Sequence, residues 1–205
     1  DGQTRYYGVE WVGRLALARH LSTEAGYSFI VGRDLYPNRN VRRLPPQSGT
    51  WSVRYSPRRW WVEARALAAG AQTRLSGGDI DDERIGASRR RSDIADFFNG
   101  ALIAPWISAG RFTPTGETLG EIQNRVLPVG GVINGVRVAD NATRVPLYLA
   151  TSGWVSIDVV GGVPIGERWT VGFGIRNLAD RNYRMHGSGV DSPGRNIFAN
   201  LMFRF

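Results

Sequence analysis

The feature that most constrains the fold is a two-residue alternation of apolar and polar side chains over the last 37 residues, 169–205. Two alternating stretches, 169–178 and 196–205, lie on either side of a loop. Such a period places one set of side chains on each face of a strand. One face carries bulky apolar groups and the other Gly, Thr, Asn and Arg, which is typical of a membrane β-strand between lipid and a water-filled lumen.

Composition agrees with a strand-built protein. Hydrophobic residues make up 42% of the 205 residues, and no run approaches the ~18 apolar residues of a membrane helix. Because the chain has no Cys, we expect neither disulfides nor thiolate metal sites. The chain starts on Asp1 without a leader, so we expect its start to have been processed or cut.

The basic charge does not indicate a nucleic-acid partner. The formal net charge is +8, and all 26 basic residues are Arg. Most are scattered singly, and the exceptions are the pairs 42–43 and 58–59 and the run 89–91. A nucleic-acid-binding protein more often gathers its basic residues on one helix or patch. We therefore expect no nucleic-acid partner. We also expect no cofactor.

The alternation predicts an all-β, antiparallel up-and-down segment of about seven strands. In the fourth strand, we expect residues 60–69 to cross the membrane, with a bulge or an exit from lipid before Gln72. Residues 76–153 lack sustained alternation, although the apolar piece 97–107 suggests either a helical turn or a segment that packs on a neighbour. The predicted strands are 6–18, 21–31, 49–56, 60–75, 154–163, 169–178 and 196–205, and the long loops are 32–47, 76–153 and 179–195.

The connections alternate between short and long, which indicates outer-membrane topology. Those near His20, 57–59 and 164–168 are short, and the other three are long. Outer-membrane barrels place short periplasmic turns at one end and long extracellular loops at the other. Seven strands do not close a bacterial barrel, which has an even number. Either a strand is missed, or the chain is part of a larger barrel, which we expect from its abrupt start.

The C-terminal residues resemble a known family. The run 175–184 is IRNLADRNYR, the run 186–195 is HGSGVDSPGR, and a strand ending in Phe205 follows. This resembles the end of a TonB-dependent outer-membrane receptor, with its N-L-x-D-x-x-Y-R strand exit, P-G-R loop end and terminal Phe. Residues 8–10, Gly-Val-Glu, are similar to the family's G-x-E strands, and 72–86 resembles a segment that follows a late strand.

The resemblance implies a 22-stranded barrel of the Gram-negative outer membrane, filled by an N-terminal plug. Such a receptor imports a scarce solute, by default a ferric siderophore or other metal chelate, with energy from TonB. Residues 1–205 would form roughly the last third of the barrel, with the plug and TonB box absent, so TonB would act only through the missing N-terminal part. Leu201, Phe203 and Phe205 would match the signal read by the barrel-assembly machinery. Outer-membrane lipid and lipopolysaccharide would surround the strands.

Candidate site residues are few, and none indicates an enzyme. Loop arginines Arg84, Arg89, Arg90 and Arg91 are candidates for binding an anionic chelate. His186, Ser188 and Asp191 lie within one loop, whereas catalytic triads assemble from distant segments. The acidic run 79–83 lacks the ligand spacing of a calcium loop.

Two alternatives remain open from the sequence. One is a small self-contained outer-membrane barrel acting as an adhesin or structural protein. It would need an eighth strand within 100–150, at 131–138 or 144–150. The other is a soluble β-domain that binds an anionic ligand, in which the alternating residues fill a closed core.

Overall fold

The computed structural model describes residues 2–82, 84–85, 88–93 and 107–205. The chain divides into two compact units. The sheet unit comprises residues 1–74 and 152–205, and the loop unit comprises residues 75–151. The predicted apolar piece 97–107 lies almost entirely outside the described residues.

The sheet unit contains one antiparallel sheet in which seven strands pair in chain order. A short eighth strand, β3, folds back onto β2. The strands are β1 (Thr4–Ala18), β2 (Leu21–Leu35), β3 (Asn38–Asn40), β4 (Ser48–Tyr55), β5 (Trp61–Ala69), β12 (Trp154–Ile165), β13 (Trp169–Arg176) and β14 (Asn196–Phe203); β6 to β11 belong to the loop unit. This confirms the predicted up-and-down antiparallel fold. Within the described residues the sheet is not closed, since β1 and β14 are its two edges.

Several strand boundaries differ from the predicted ones. The fourth strand ends at Ala69, not at residue 75, because Gly70 leaves the ladder and Gln72 turns its side chain to the carbonyl of Leu44, 2.7 Å away. The loop predicted from residue 32 begins later, because β2 continues to Leu35 and pairs with β3. The last two strands also end earlier than predicted, at Arg176 and Phe203.

The connections keep the predicted asymmetry. Residues 19–20, 56–60 and 166–168 form the short connections between strands, whereas 36–47, 70–153 and 177–195 form the long ones. Since successive strands are antiparallel, all short turns fall at one end of the sheet and all long connections at the other. Gly166, at φ +64°, adopts the left-handed conformation in the turn before β13.

The loop unit corrects the prediction of an irregular loop at 76–153. Two helices among its described residues, α1 (Gly77–Ile80) and α2 (Leu119–Val126), begin with a capping box, formed by Ser76 with Asp79 and by Thr118 with Glu121. Six short strands pair two by two within the unit: β6 (Ser88–Arg90) with β11 (Arg144–Pro146), β7 (Ile107–Ser108) with β8 (Arg111–Phe112), and β9 (Val132–Ile133) with β10 (Val136–Arg137).

The segments considered for an eighth barrel strand belong to this unit. Residues 132–137 form a hairpin around Asn134 and Gly135, which both have positive φ, as a two-residue type I′ turn requires. Residues 144–146 pair with 88–90 rather than with the main sheet. The self-contained barrel therefore gains no strand at 131–138 or 144–150.

The loop unit has a core of its own. Leu127, Val138 and Val145 are fully buried and contact each other, and a second buried pair, Leu75 and Ile85, packs on Ile80. Hydrophobic clusters of this kind stabilise a compact unit in place of a flexible loop. Among the described residues of the whole chain, none forms a helix long and apolar enough to cross a membrane.

Candidate functional site

One face of the sheet is apolar across all seven strands. Residues opposite each other in neighbouring strands share a face, so the strand register defines cross-strand rows. Many members are exposed, including Ile197 at 74% and Leu201 at 62%. A contiguous exposed apolar surface of this extent marks contact with lipid or another partner. One such row consists of Leu15, Thr23, Val53, Ala64, Val159, Ile175 and Ile197.

The opposite face carries the charges. Glu63 is only 7% exposed and accepts hydrogen bonds from Nη1 of Arg54, at 3.2 Å, and from Nε of Arg65. On the same face, the Asp158 carboxylate accepts a bond from the backbone N–H of Asn177 at 2.9 Å. Ionised groups in membrane strands face water or polar protein and pair with one another. The sequence pattern predicted that Glu63 and Arg65 lie on the polar face, but it did not predict that they form an ion pair.

Two aromatic rings on the polar face lie over glycines. A Cβ at Gly162 would lie 2.7 Å from Nε1 of Trp61, and a Cβ at Gly174 would lie 2.8 Å from the Phe198 ring. The guanidinium of Arg54 stacks on Trp61, with its Cζ 4.0 Å from a ring centroid. Glycine is thus required at 162 because the indole fills the space of a side chain, and the stacked arginine stays on the polar face.

A groove of about 740 Å³ lies in the sheet unit at the long-loop end. Tyr183 from the 177–195 loop stacks on Trp154, with ring centroids 4.2 Å apart, and Arg181 lies beside them. Tyr27 borders the groove and donates a 3.1 Å hydrogen bond to Gln47. Its lining residues Tyr27, Gly49, Ala68 and Val155 form one cross-strand row of the apolar face, so the groove lies on that face rather than on the charged one. The sequence analysis missed this group, since its members come from four separate segments.

The loop 177–195 is ordered by its own polar contacts. Asn177, which is buried and has φ +50°, donates from Nδ2 to the carbonyls of Arg181 and Pro193. Asp191 accepts a 2.7 Å bond from Arg184, and Ser188 donates to the carbonyl of Val190. Ser188 and Asp191 are therefore engaged in ordering the loop rather than in a catalytic triad.

The four candidate arginines have different environments. Arg91 is 6% exposed, and its guanidinium donates to the carbonyl of Leu127 and to the side chains of Asn124 and Asn141. It is part of the interior of the loop unit, and its role in binding a ligand stays a prediction. Arg84 forms a bidentate ion pair with Asp82, in which Nε and Nη2 donate to the two carboxylate oxygens at 3.0 and 2.8 Å.

The other two candidates lie on β6. Arg89 is half-buried and donates to the carbonyl of Ser88, whereas Arg90 is exposed. Arg90 stands directly opposite Arg144 of β11. Arg144 was not among the predicted residues, because nothing in the local sequence indicates that 88–90 and 144–146 pair.

Two acidic groups of the loop unit, those of Asp79 and Glu117, are engaged in local bonds. Asp79 accepts from the backbone N–H of Ser76 at 3.0 Å within the capping box. The hydrogen bond from Arg125 keeps the pKa of the half-buried Glu117 carboxyl below its usual value. Across the described residues, no group of three or more His, Asp and Glu side chains is arranged to hold a metal ion.

The proposed assembly-signal residues lie at the short-turn end. Leu201 and Phe203 share the apolar face with Val171 and Trp169 of β13. The Phe203 ring lies 4.6 Å from Trp169 and 6.1 Å from Phe205, centroid to centroid. Trp60 and Tyr55 form a second aromatic pair in the short connection after β4, 5.3 Å apart. Aromatic clusters at strand ends are characteristic of the membrane interface of barrels.

These features together define a class of fold. A sheet that is apolar over one face and charged over the other, with short turns at one end and long connections at the other, is that of an outer-membrane β-barrel.

Comparison with solved structures identifies the barrel type. The copper transporter OprC is 15% identical over 98% of this chain and 24% of its own length, with a TM-score of 0.61. FpvAI, in its complex with pyocin S2, is 13% identical over 98% of this chain and 20% of its own length, with a TM-score of 0.50. The ferric yersiniabactin uptake receptor FyuA of Yersinia pestis is 12% identical over 100% of this chain and 24% of its own length, with a TM-score of 0.48. No family model and no curated protein matches the sequence.

At these identities the similarity is one of fold. The chain has the fold of a segment of a TonB-dependent receptor barrel, and it spans about a quarter of the length of OprC. The resemblance drawn from the C-terminal motifs is thereby confirmed at the level of fold. The proteins compared are receptors and transporters.

Proposed function

We propose that this chain is part of the barrel of a TonB-dependent receptor in the outer membrane of a Gram-negative bacterium, and that the receptor imports a scarce solute. The main observation in support is a sheet with two unlike faces. One face is apolar over seven strands, and on the other Glu63 forms ion pairs with Arg54 and Arg65. Hydrocarbon would cover the first face, and the second would border the wet interior. The fold shared with OprC supports the assignment.

The proposed solute is a metal chelate, by default a ferric siderophore. Chelates of this kind are commonly anionic, and the long connection 70–153 carries the candidate arginines for them, among them the half-buried Arg89 and the exposed Arg90. The role is binding and passage rather than covalent chemistry. We further propose TonB as the source of energy, acting through parts of the receptor outside residues 1–205.

The last strand is proposed to carry the assembly signal. Leu201 and Phe203 lie on the apolar face, and Phe205 follows the strand. The barrel-assembly machinery would bind this strand through its exposed edge and aromatic end. The assembled wall would then contact lipid and lipopolysaccharide. Phe205→Ala is expected to lower the amount of protein in the outer membrane several-fold, whereas Arg204→Ala, on the other parity, is expected to leave it unchanged.

Membrane fractionation and uptake test the proposal. We expect the protein in the outer-membrane fraction, extractable only with detergent. A deletion strain should lose uptake of one metal chelate while uptake of other solutes is unchanged, and a strain lacking TonB should show the same loss. Screening iron and copper complexes in parallel identifies the solute. Recovery of the protein in a soluble fraction, or solute uptake that does not need TonB, would contradict the proposal.

A further inference from the structure

The short-turn end of the sheet unit carries a cluster of exposed arginines. Arg58 and Arg59 lie in the connection between β4 and β5, and Arg19 lies in the connection between β1 and β2. These three residues form the turn cluster. The backbone N–H of Ser56 donates a 2.8 Å hydrogen bond to the carbonyl of His20, which holds the two turns side by side. Since neighbouring strands lie about 4.8 Å apart, side chains from both turns can reach one ligand between them.

No acidic side chain offsets the turn cluster. Residues 15–23 and 55–62 include both turns and the adjoining strand ends, and they contain neither Asp nor Glu. On the polar face, by contrast, Arg54 forms an ion pair with Glu63. None of the three cluster arginines forms an ion pair with a carboxylate of a described residue. The cluster therefore presents three positive charges to whatever surrounds this end of the sheet.

Exposed aromatic and apolar side chains adjoin the cluster. Trp60 follows Arg59 directly, and its ring centroid lies 5.3 Å from that of Tyr55. Tyr55 belongs to the apolar face, where Leu21 and Val62 are its direct cross-strand partners. Exposed aromatic rings at strand ends mark the depth at which hydrocarbon gives way to lipid headgroups. Because a strand rises about 3.3 Å per residue, the arginines lie just beyond that depth, at the level of the lipid phosphates.

This combination of groups matches the two parts of an anionic phospholipid. A guanidinium binds phosphate oxygens through paired, charge-assisted hydrogen bonds. Each arginine near an anionic membrane surface strengthens binding about fivefold. The acyl chains of the same molecule would cover the apolar row of Leu21, Tyr55 and Val62. A free phosphate ion would satisfy the arginines but leave this row uncovered, so the surface favours a lipid.

We propose that the turn cluster and the Tyr55–Trp60 pair form a binding site for one anionic phospholipid, such as phosphatidylglycerol, in the periplasmic leaflet. The inference rests on the proposed function, which places the short turns at the periplasmic end of the barrel. The three arginines hold the phosphate, and the ring of Trp60 lies beside the glycerol group. The bound lipid keeps the two turns at a fixed depth in the bilayer.

The test titrates the purified full-length protein in detergent with phosphatidylglycerol and with phosphatidylcholine, and counts bound lipids by native mass spectrometry. The wild type should bind its first phosphatidylglycerol about tenfold more tightly than phosphatidylcholine. The double variant Arg58→Gln/Arg59→Gln should lose this preference, together with the rise in unfolding temperature that phosphatidylglycerol causes. The variant Arg58→Lys/Arg59→Lys keeps both charges and should keep most of the preference.

The matched control is Arg168→Gln/Arg204→Gln, which removes two exposed arginines from the same end of the sheet. The N–H of Arg204 donates to the carbonyl of Arg168 at 2.8 Å. Their neighbours Trp169 and Phe203 are direct partners on the apolar face, so this arginine pair continues the polar face. Because these two guanidiniums face away from lipid, the control should keep the lipid preference to within about twofold of the wild type.

Equal affinities of the wild type for the two lipids would overturn the site, and so would an equal loss in the two glutamine variants. Arginines that served an acidic protein partner instead would show no preference between the lipids. Uptake by cells distinguishes this inference from the proposed function. A protein that prefers phosphatidylglycerol but shows no TonB-dependent uptake keeps the lipid site and loses the transport role, whereas uptake without a lipid preference does the reverse.

Discussion

Placing one arginine on each face of the sheet tests which face contacts lipid. Ala64 is exposed at the middle of β5, in the row between Val53 and Val159 on the apolar face. Thr50 is exposed on the polar face of the neighbouring strand β4. Both sites have room for a long side chain, and neither native residue contributes a large apolar group. The variants Ala64→Arg and Thr50→Arg therefore differ chiefly in what surrounds the new charge.

The expected penalty follows from the depth of Ala64 in the strand. An arginine on the lipid face of a barrel costs about 2–4 kcal/mol near the bilayer midplane. That corresponds to a roughly 30- to 700-fold fall in the folding equilibrium constant. On the polar face the charge stays hydrated, so Thr50→Arg should change the free energy of unfolding by no more than about 0.5 kcal/mol.

Equilibrium unfolding in lipid vesicles, followed by tryptophan fluorescence, measures both variants against the wild type. The difference should shrink for arginines moved along β5 toward Ala68, since the cost falls near the interface. Equal effects of the two variants, or a larger loss for Thr50→Arg, would refute the assignment of the faces. A folded wild-type protein in buffer without detergent or lipid would refute it as well.

Three further predictions concern local contacts. Arg91→Ala removes the donor to the buried carbonyl of Leu127 and to the side chains of Asn124 and Asn141, and should destabilise the loop unit by about 1–3 kcal/mol, seen as faster hydrogen exchange in 75–151 with little change in the sheet. Gly162→Val should displace the indole of Trp61 and cost about 1–3 kcal/mol, with a shift in tryptophan emission. Arg125→Gln should raise the pKa of Glu117 measured by NMR. The pKa of Glu117 is lower in the folded protein than in the unfolded chain. The contact with Arg125 therefore stabilises the fold fully at pH values above the usual glutamate pKa. This stabilisation is lost as the pH falls through the lowered pKa of the folded protein.

The sheet could be predicted because its residues face two unlike environments. In β13 and β14, a shift of one residue would move every large apolar side chain to the polar face, so the pattern alone fixes parity and pairing. Trp169 and Phe203, predicted on the same face, are direct partners in the structure. The ends of strands were less predictable. β2 extends to Leu35 because the three-residue strand β3 folds back and pairs with it. A strand pair of three residues is too short to show an alternating pattern in the sequence.

The loop unit could not be predicted, since its stability comes from contacts that leave no periodic pattern. Its core joins Leu127, Val138 and Val145, which lie in three separate irregular segments. The run of arginines at 89–91 contains one buried, one half-buried and one exposed side chain. From their charge alone, all three were predicted to bind an anionic chelate. Burial of Arg91 and the pairing of Arg90 with Arg144 became visible only from the fold.

Spin-label accessibility along β14 tests the central claim most directly. The chain has no native Cys, so single cysteines at 197–203 can each be labelled without removing others. We predict a period of two in lipid vesicles: labels at 197, 199, 201 and 203 should collide with oxygen dissolved in the bilayer, and those at 198, 200 and 202 with a water-soluble nickel complex. Labels that are uniformly accessible to the nickel complex, or that alternate in the opposite phase, would contradict the account.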